Sequence, residues 1–309
     1  MTSVVPPRAP RSRWLNLIWI IPVALGAMGM VVLLAYGVRG TPPLQHFLED
    51  YPGQSALPGG APVGFPVWLN WQHGLSAFFL LFIIRTGWLV RTTKRPDAFF
   101  TRKNSGPIRT KGQPIRIGLN LWLHFAFDVL WVANGILFYV LIFVTGQWVR
   151  IVPTSWDIIP NALSAALQYA SLQWPHENGW VNYNALQVLT YFVVVFIMSP
   201  LAVITGLRLA PGLSARWRPI EKFFPLPLAR KIHFPLMIAF VVFIVIHVTL
   251  VLATGALRNL NHMYASRDEE SWVGFGIFAG SVVLMIVAWV ALRPLVVRSI
   301  AGVFGKVGR

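Results

Sequence analysis

The chain has 309 residues, of which 56% are hydrophobic and 12% charged, and its formal net charge is +16. It contains no cysteine, which excludes disulfides, iron–sulfur clusters and covalent attachment of a c-type haem. No nucleotide-binding glycine loop or hydrolase motif is present. We therefore expect an integral membrane protein, in which histidine or methionine would have to hold any redox metal.

Six apolar stretches are long enough to cross a hydrocarbon core about 30 Å thick, which takes about 20 helical residues. The first follows three arginines but is too long for the apolar core of a signal peptide, so we expect it to be retained. The predicted fold is an all-α integral membrane protein forming a single membrane domain over residues 1–309. We expect a four-helix core within 67–255 and one extra helix at each end, with spans near 14–38, 67–90, 117–146, 185–207, 229–255 and 272–292.

Basic residues fall in alternate connections. The segments 91–116 and 208–231 and both tails are strongly positive, and the N-terminal tail carries Arg8, Arg11 and Arg13. The loops 39–66, 147–184 and 256–271 are slightly acidic. This pattern predicts cytoplasmic termini. Orientation and anionic lipid account for the net charge, so nucleic acid is not expected. A basic docking face for a soluble partner is the alternative.

Four histidines lie on the predicted spans. In chain order, His73 lies near the outer end of the second span and His124 near the inner end of the third. The fifth span carries His233 and His247, fourteen residues apart. At about 100° and 1.5 Å per residue, these two share one helix face and lie about 21 Å apart along it. Ionisable residues inside a span are costly and suggest a functional site.

Matching the depths of these histidines pairs His73 with His247 in an outer layer and His124 with His233 in an inner layer. Two layers of two imidazoles are the arrangement needed to hold two bis-histidine haems, with one iron in each layer. A second axial histidine leaves no open coordination site, which favours electron transfer over oxygen binding. Zinc binding is disfavoured, because zinc sites need tighter clusters with carboxylate or thiolate ligands.

Other polar residues leave alternatives open. Arg85 could meet a propionate of the inner haem or reach the inner headgroups. Asp128 shares a helix face with His124 and could orient a histidine, relay a proton or pair with Arg85. His262 could contact a propionate or a quinone, or be a surface residue. The remaining histidines are expected to be surface residues: His46 and His176.

These residues resemble a known family, the di-haem cytochrome b subunits that anchor bacterial formate dehydrogenases, nickel–iron hydrogenases and thiosulfate reductases. The resemblance covers about 67–255. It rests on the spacing of the four histidines and on three further motifs: Thr86-Gly87 after His73, Tyr183 to Gln187 before a helix ending in Thr205-Gly206, and Arg230-Lys231-Ile232 before His233.

The resemblance implies two haem b groups ligated by His73, His124, His233 and His247. It also implies exchange with menaquinone or ubiquinone, and a location in the bacterial cytoplasmic (inner) membrane. With no complete catalytic site of its own, the chain would need a catalytic oxidoreductase subunit carrying molybdopterin, iron–sulfur clusters or both. The additional first span inverts the core relative to the formate dehydrogenase pattern, which places the His73–His247 pair on the outer side.

Two other functional classes were weighed. A stand-alone transmembrane electron shuttle would reduce a small acceptor directly at one membrane face. A haem-free proton or metal transporter would be supported by inverted repeats and broken helices, which the sequence does not show. Self-association is left open, because Gly274, Gly276 and Gly280 would permit close helix contact.

Overall fold

The structure is a computed structural model, and it describes residues 14–105, 109, 112–174, 178–214 and 218–309. Several residues singled out in the sequence lie outside these ranges. They are three arginines of the N-terminal tail and one of the predicted outer-loop histidines: Arg8, Arg11, Arg13 and His176.

The described chain is mostly helical. Twelve α-helices are present in it: α1 (Trp14–Arg39), α2 (Pro42–Asp50), α3 (Val67–Thr92), α4 (Leu119–Val144), α5 (Ile158–Ala170), α6 (Ala185–Phe192), α7 (Ser199–Leu209), α8 (Pro211–Ser214), α9 (Leu226–Ala253), α10 (Ala256–Leu260), α11 (Trp272–Ala291) and α12 (Pro294–Phe304). Two π-helical segments, Val193–Met198 and Asn261–Ala265, join α6 to α7 and extend α10. Two short 3₁₀ segments are Gln147–Arg150 and Arg218–Lys222.

Six helical segments in these ranges are long and apolar enough to cross a membrane, which confirms the predicted all-α membrane fold. The bounds are Ile18–Arg39, Val67–Thr92, Leu119–Val144, Ala185–Leu209, Leu226–Ala253 and Trp272–Ala291. The fourth span is continuous through α6, the π-helical segment and α7. The assignment of 67–255 as a four-helix core with one extra helix at each end stays a prediction.

The chain divides into two compact units. The first comprises residues up to Ala56, Ser155–Glu177 and Asn184–Gln187, and so contains α1, α2 and α5. Inside this unit, the Asn161 side-chain oxygen accepts a hydrogen bond from the Gly53 N–H at 2.9 Å. The Arg39 guanidinium donates to the Ser171 hydroxyl at 3.2 Å. None of the four candidate histidine ligands belongs to this unit.

The second unit comprises Leu57–Thr154, Asn178–Tyr183 and Val188–Arg309, and it contains all four candidate ligands. Within it, α3 packs against α4, and α7 packs against α9.

The second unit also contains a small antiparallel sheet that the sequence analysis did not predict. Strands β1 (Phe99–Arg102), β2 (Ile117–Gly118) and β3 (Gly305–Gly308) pair in the order β2-β1-β3. Phe100 on β1 packs in a buried cluster with residues of α4 and α12, namely Leu119, Val297 and Ala301. The sheet therefore joins β1, which lies in the basic 91–116 segment, to the C-terminal strand β3.

Asn261 holds the connection between α10 and α11. Its side-chain amide is fully buried, donates to the Glu269 and Ser271 carbonyls at 2.9 and 2.8 Å, and accepts from the Gly274 N–H at 2.7 Å. A Cβ on Gly274 would overlap the backbone of Leu260 and Asn261. Gly274 is therefore used for packing inside the chain, whereas a Cβ on Gly276 or Gly280 would meet no atom within 4 Å.

We expect Gly274→Ala to destabilise the protein by about 1–3 kcal/mol, because the added methyl group overpacks a site closed by backbone. The apparent Tm of the purified protein in detergent should fall by several degrees. Gly280→Ala on the same helix is the matched control and should leave the apparent Tm unchanged. Equal Tm values for the two variants would contradict this account of Gly274.

Candidate functional site

The structure brings the four membrane histidines together in the two predicted pairs. His73 on α3 lies opposite His247 on α9, with ring centroids 6.3 Å apart and ring planes at 62°. His124 on α4 lies opposite His233 on α9, with centroids 6.5 Å apart and planes at 86°. Since α9 carries one histidine of each pair, it fixes the separation between the two layers at about 21 Å along the helix.

The separation within each pair suits two ligands on opposite sides of one metal ion. A bond from an imidazole nitrogen to a metal is about 2.0–2.1 Å long, and the ring centroid lies roughly 1.1 Å behind that nitrogen, so the two centroids would be about 6.4 Å apart. The observed centroid distances are 6.3 and 6.5 Å. No cluster of three or more His, Cys, Asp or Glu residues suited to a metal occurs in the described ranges. The geometry therefore fits a cofactor that brings its own equatorial ligands.

Both histidines of the inner pair are held by a threonine on the preceding span. The Thr86 hydroxyl lies 2.9 Å from Nδ1 of His124, and the Thr205 hydroxyl lies 2.8 Å from Nδ1 of His233. Each hydroxyl also donates to the carbonyl four residues earlier on its own helix, that of Phe82 at 2.6 Å or Leu201 at 2.7 Å. With the hydroxyl proton donated there, the threonine oxygen is positioned to accept an N–H from the imidazole.

This hydrogen bond fixes the tautomer of each inner histidine. With the proton on Nδ1, the lone pair of Nε2 is free to bind a metal, as is usual for ligating histidines that donate their other ring N–H. A glycine follows each threonine. A Cβ on Gly87 would crowd Cε1 of His124 at 3.2 Å, whereas a Cβ on Gly206 would make an ordinary van der Waals contact with Cε1 of His233 at 3.5 Å.

The outer pair has aromatic surroundings. The Phe243 ring stacks on His247 with a centroid distance of 5.4 Å and an interplanar angle of 13°. Tyr191 meets His247 edge-on at 6.1 Å, and Tyr264 meets His73 edge-on at 5.9 Å. Nδ1 of His73 is buried and has no hydrogen-bond partner among the described residues. Among the described residues, His73 therefore has no threonine partner of the kind that His124 and His233 have.

A cavity of about 260 Å³ lies beside the outer pair. Five of its six lining residues lie on the fourth span, around the π-helical segment, and the sixth is Phe243, which stacks on His247: Leu189, Thr190, Val193, Val194, Met198 and Phe243. The lining is almost wholly apolar.

The two charged residues predicted within spans have different surroundings. A carboxylate oxygen of Asp128 lies 3.7 Å from Nε2 of His124, so Asp128 does neighbour the inner pair. Arg85 does not pair with Asp128. Its guanidinium donates to the Trp289 carbonyl at 2.8 Å and to the Leu292 carbonyl at 3.3 Å, and so caps the C-terminal end of α11. The contact of Arg85 with a cofactor stays a prediction.

His262 is buried, so the alternative prediction that it is a surface residue was wrong. Only 3% of it is exposed, and its Nε2 lies 2.8 Å from an Asp268 carboxylate oxygen. Its ring stacks on Phe65 with centroids 5.6 Å apart. Burial lowers the pKa of His262 and the hydrogen bond to Asp268 opposes that shift. His46 is exposed as predicted, with Glu49 3.4 Å away.

Sequence reasoning noted the Thr-Gly dipeptides but missed what the threonines do. The same dipeptide ends the spans before His124 and before His233, but it also follows the third and fifth spans as Thr145-Gly146 and Thr254-Gly255. The dipeptide alone therefore did not identify the two threonines that contact histidines. Arg150 was missed altogether. It is an arginine in a loop rich in tryptophan and proline, and nothing in that sequence indicates that it is buried.

Residues 64–266 match the sequence model of the family described as prokaryotic cytochrome b561. No curated protein and no solved structure matches the chain significantly. The matched region contains the four paired histidines and the dipeptides Thr86-Gly87 and Thr205-Gly206.

Proposed function

The chain belongs to the prokaryotic cytochrome b561 family, and on that premise we propose that it is a di-haem membrane subunit linking a catalytic oxidoreductase subunit to the quinone pool. Membership of the family implies haem b and haem-based electron transfer in a prokaryotic membrane. The number of haems, their ligands, the quinone and the partner belong to the proposal.

The observation that carries the proposal is that the four histidines form two pairs, each with one member on α9. His73 and His247 would hold one haem, and His124 and His233 the other, because each pair has the spacing of two axial ligands. When bound, haem b supplies reversible one-electron chemistry at its iron. At the inner layer, the chain would contribute imidazoles whose Nε2 can bind iron because the proton lies on Nδ1. It would also contribute apolar walls that exclude water.

The partner is proposed because this chain has no means of oxidising a substrate by itself. It has no cysteine and so cannot hold an iron–sulfur cluster. Electrons would therefore come from, or go to, a separate subunit carrying molybdopterin, iron–sulfur clusters or both. The alternating basic segments support cytoplasmic termini, with the His73–His247 pair on the outer side.

Quinone exchange is proposed at the outer layer. The apolar cavity lined by Val194 and Phe243 is about 260 Å³ and lies on the fourth and fifth spans. Phe243 stacks on His247, so a ring bound there would be one aromatic side chain away from an axial ligand. Apolar concave sites with few polar groups are typical of small-molecule binding.

The first test is the haem content of the purified protein by pyridine haemochrome and by a dithionite-reduced difference spectrum. We expect two haems b per chain. His73→Ala or His124→Ala should reduce the content to about one, and replacing His233 and His247 together should remove both. His46→Ala is the exposed control and should retain two. Absence of haem from the unaltered chain would refute the proposal.

The second test concerns the threonine support. Thr86→Val keeps the shape but removes the acceptor for the Nδ1–H of His124, which weakens the donation of that imidazole to the metal. We expect the midpoint potential of the inner haem to rise, on the order of tens of millivolts, as measured by optical redox titration. Thr92→Val, on the same helix with its hydroxyl bonded only to the Trp88 carbonyl in the contacts seen, should change neither potential. If Thr92→Val shifted the midpoint potential of the inner haem equally, the role assigned to Thr86 would be contradicted.

The third test concerns the cavity. Val194→Trp should fill it and slow haem reduction by an added quinol about tenfold or more, while the dithionite-reduced spectrum stays unchanged. The matched control is Ile197→Trp, in the same π-helical segment but half-exposed and outside the cavity lining. Unaltered quinol kinetics in Val194→Trp would exclude this cavity as the quinone site.

A further inference from the structure

Arg150 is a buried cation. It lies in the 3₁₀ segment after α4, and only 2% of the residue is exposed. Its two terminal nitrogens donate to the carbonyls of Gly64 and Gly179, both at 2.5 Å. Its Nε is buried without a hydrogen-bond partner, and no carboxylate lies within 4.0 Å of the guanidinium among the residues described.

Among the described residues, no negative charge lies beside Arg150. The guanidinium lies 4.9 Å from the Phe65 ring centroid and 5.0 Å from that of Tyr183, so it has two cation–π contacts. Burial raises the pKa of Tyr183 to about 12, which keeps its phenol neutral at physiological pH. A guanidinium stays protonated in proteins, and a buried charge without an opposite charge is costly. The site therefore suits an anion that none of the described residues supplies.

Arg150 is connected to the outer histidine pair by a short series of ring contacts. Tyr183 meets Tyr191 with centroids 5.1 Å apart, and Tyr191 meets His247 at 6.1 Å. Two aromatic rings thus separate the cation from an axial ligand of the proposed outer haem.

Two other cations near this end of the second unit already have carboxylate partners. Arg258 lies 2.7 Å from Asp268, and Arg267 lies 3.3 Å from Glu269. Both are also far more exposed than Arg150. Arg150 is therefore the cation that combines burial with the lack of an acidic partner in the described part of this unit.

We propose that Arg150 is the counter-ion for the propionate carboxylates of the haem held by His73 and His247. The proposal rests on the proposed function, because it requires a haem at the outer pair. The carboxylates of that haem would accept hydrogen bonds from the N–H groups of Arg150 that the Gly64 and Gly179 carbonyls leave unused. A guanidinium is well suited to carboxylates because its donors match their geometry.

The test uses full-length haem-loaded protein and optical redox titration of both haems. Arg150→Gln removes the positive charge, which should favour the oxidised form of one haem. We expect the oxidation equilibrium of that haem to change about tenfold, which lowers its midpoint potential by about 59 mV for one electron. The affected haem should be the one that His73→Ala removes. Its potential should also become more dependent on pH between about 5 and 7, because propionates without a counter-ion gain protons more readily.

Two further variants separate charge from structure. Arg150→Lys keeps the charge but loses the planar donor set, so it should shift the same haem by less. Gln147→Ala removes a neutral side chain that donates to the same Gly64 carbonyl at 3.4 Å, and it should leave both potentials unchanged. If Arg150→Gln does not accumulate, the Arg150→Lys protein carries the test, and unchanged potentials in it would overturn the proposal.

The proposal is also overturned if Arg150→Gln shifts both haems equally, shifts neither, or is reproduced by Gln147→Ala. Failure of the proposed function looks different. In that case the unaltered protein lacks a haem that depends on His73 and His247, whatever residue stands at position 150.

Discussion

Each inner histidine must place a ring N–H within a hydrocarbon layer, where water supplies no acceptor. The Thr86 and Thr205 hydroxyls supply one, at 2.9 and 2.8 Å. Each hydroxyl oxygen can accept the ring N–H while its own proton is donated to a carbonyl of its own helix. The orientation of both imidazoles and their tautomer follow from this arrangement. The inner layer is thus determined by hydrogen bonds between neighbouring spans.

The outer layer is determined differently. Aromatic rings surround its imidazoles, and the Phe243 ring stacks on that of His247. Polar groups lie one step further out, where Arg150 and His262 are buried against Phe65. Hydrogen bonds to axial ligands and nearby charges are both means by which a protein sets a redox potential. On the proposed ligation, the two layers would offer chemically distinct environments to two cofactors of the same kind.

The spans and the pairing of the histidines could be predicted because both follow from periodicity. Length and apolar composition define a membrane helix, and fourteen residues return His247 to the face of His233. The β1–β3 sheet, the burial of Arg150 and the His262–Asp268 contact could not be predicted. The sheet and the Arg150 contacts join segments far apart in sequence, whereas His262 and Asp268 are only six residues apart. The residue types of all three are equally typical of exposed loops. The cap that Arg85 forms at the end of α11 could not be predicted either, because only the packing of two distant spans brings Arg85 to that helix end.

The Thr-Gly dipeptide and its histidine occur twice, each time on two successive spans: Thr86 with His124 on α3 and α4, and Thr205 with His233 on α7 and α9. Each helical hairpin therefore contains both the ligand and the group that orients it. Because each Thr–His contact lies within one hairpin, each histidine can acquire its orientation before the two hairpins meet. On the proposed ligation, biogenesis of the inner site would consist of closing two finished halves around the cofactor.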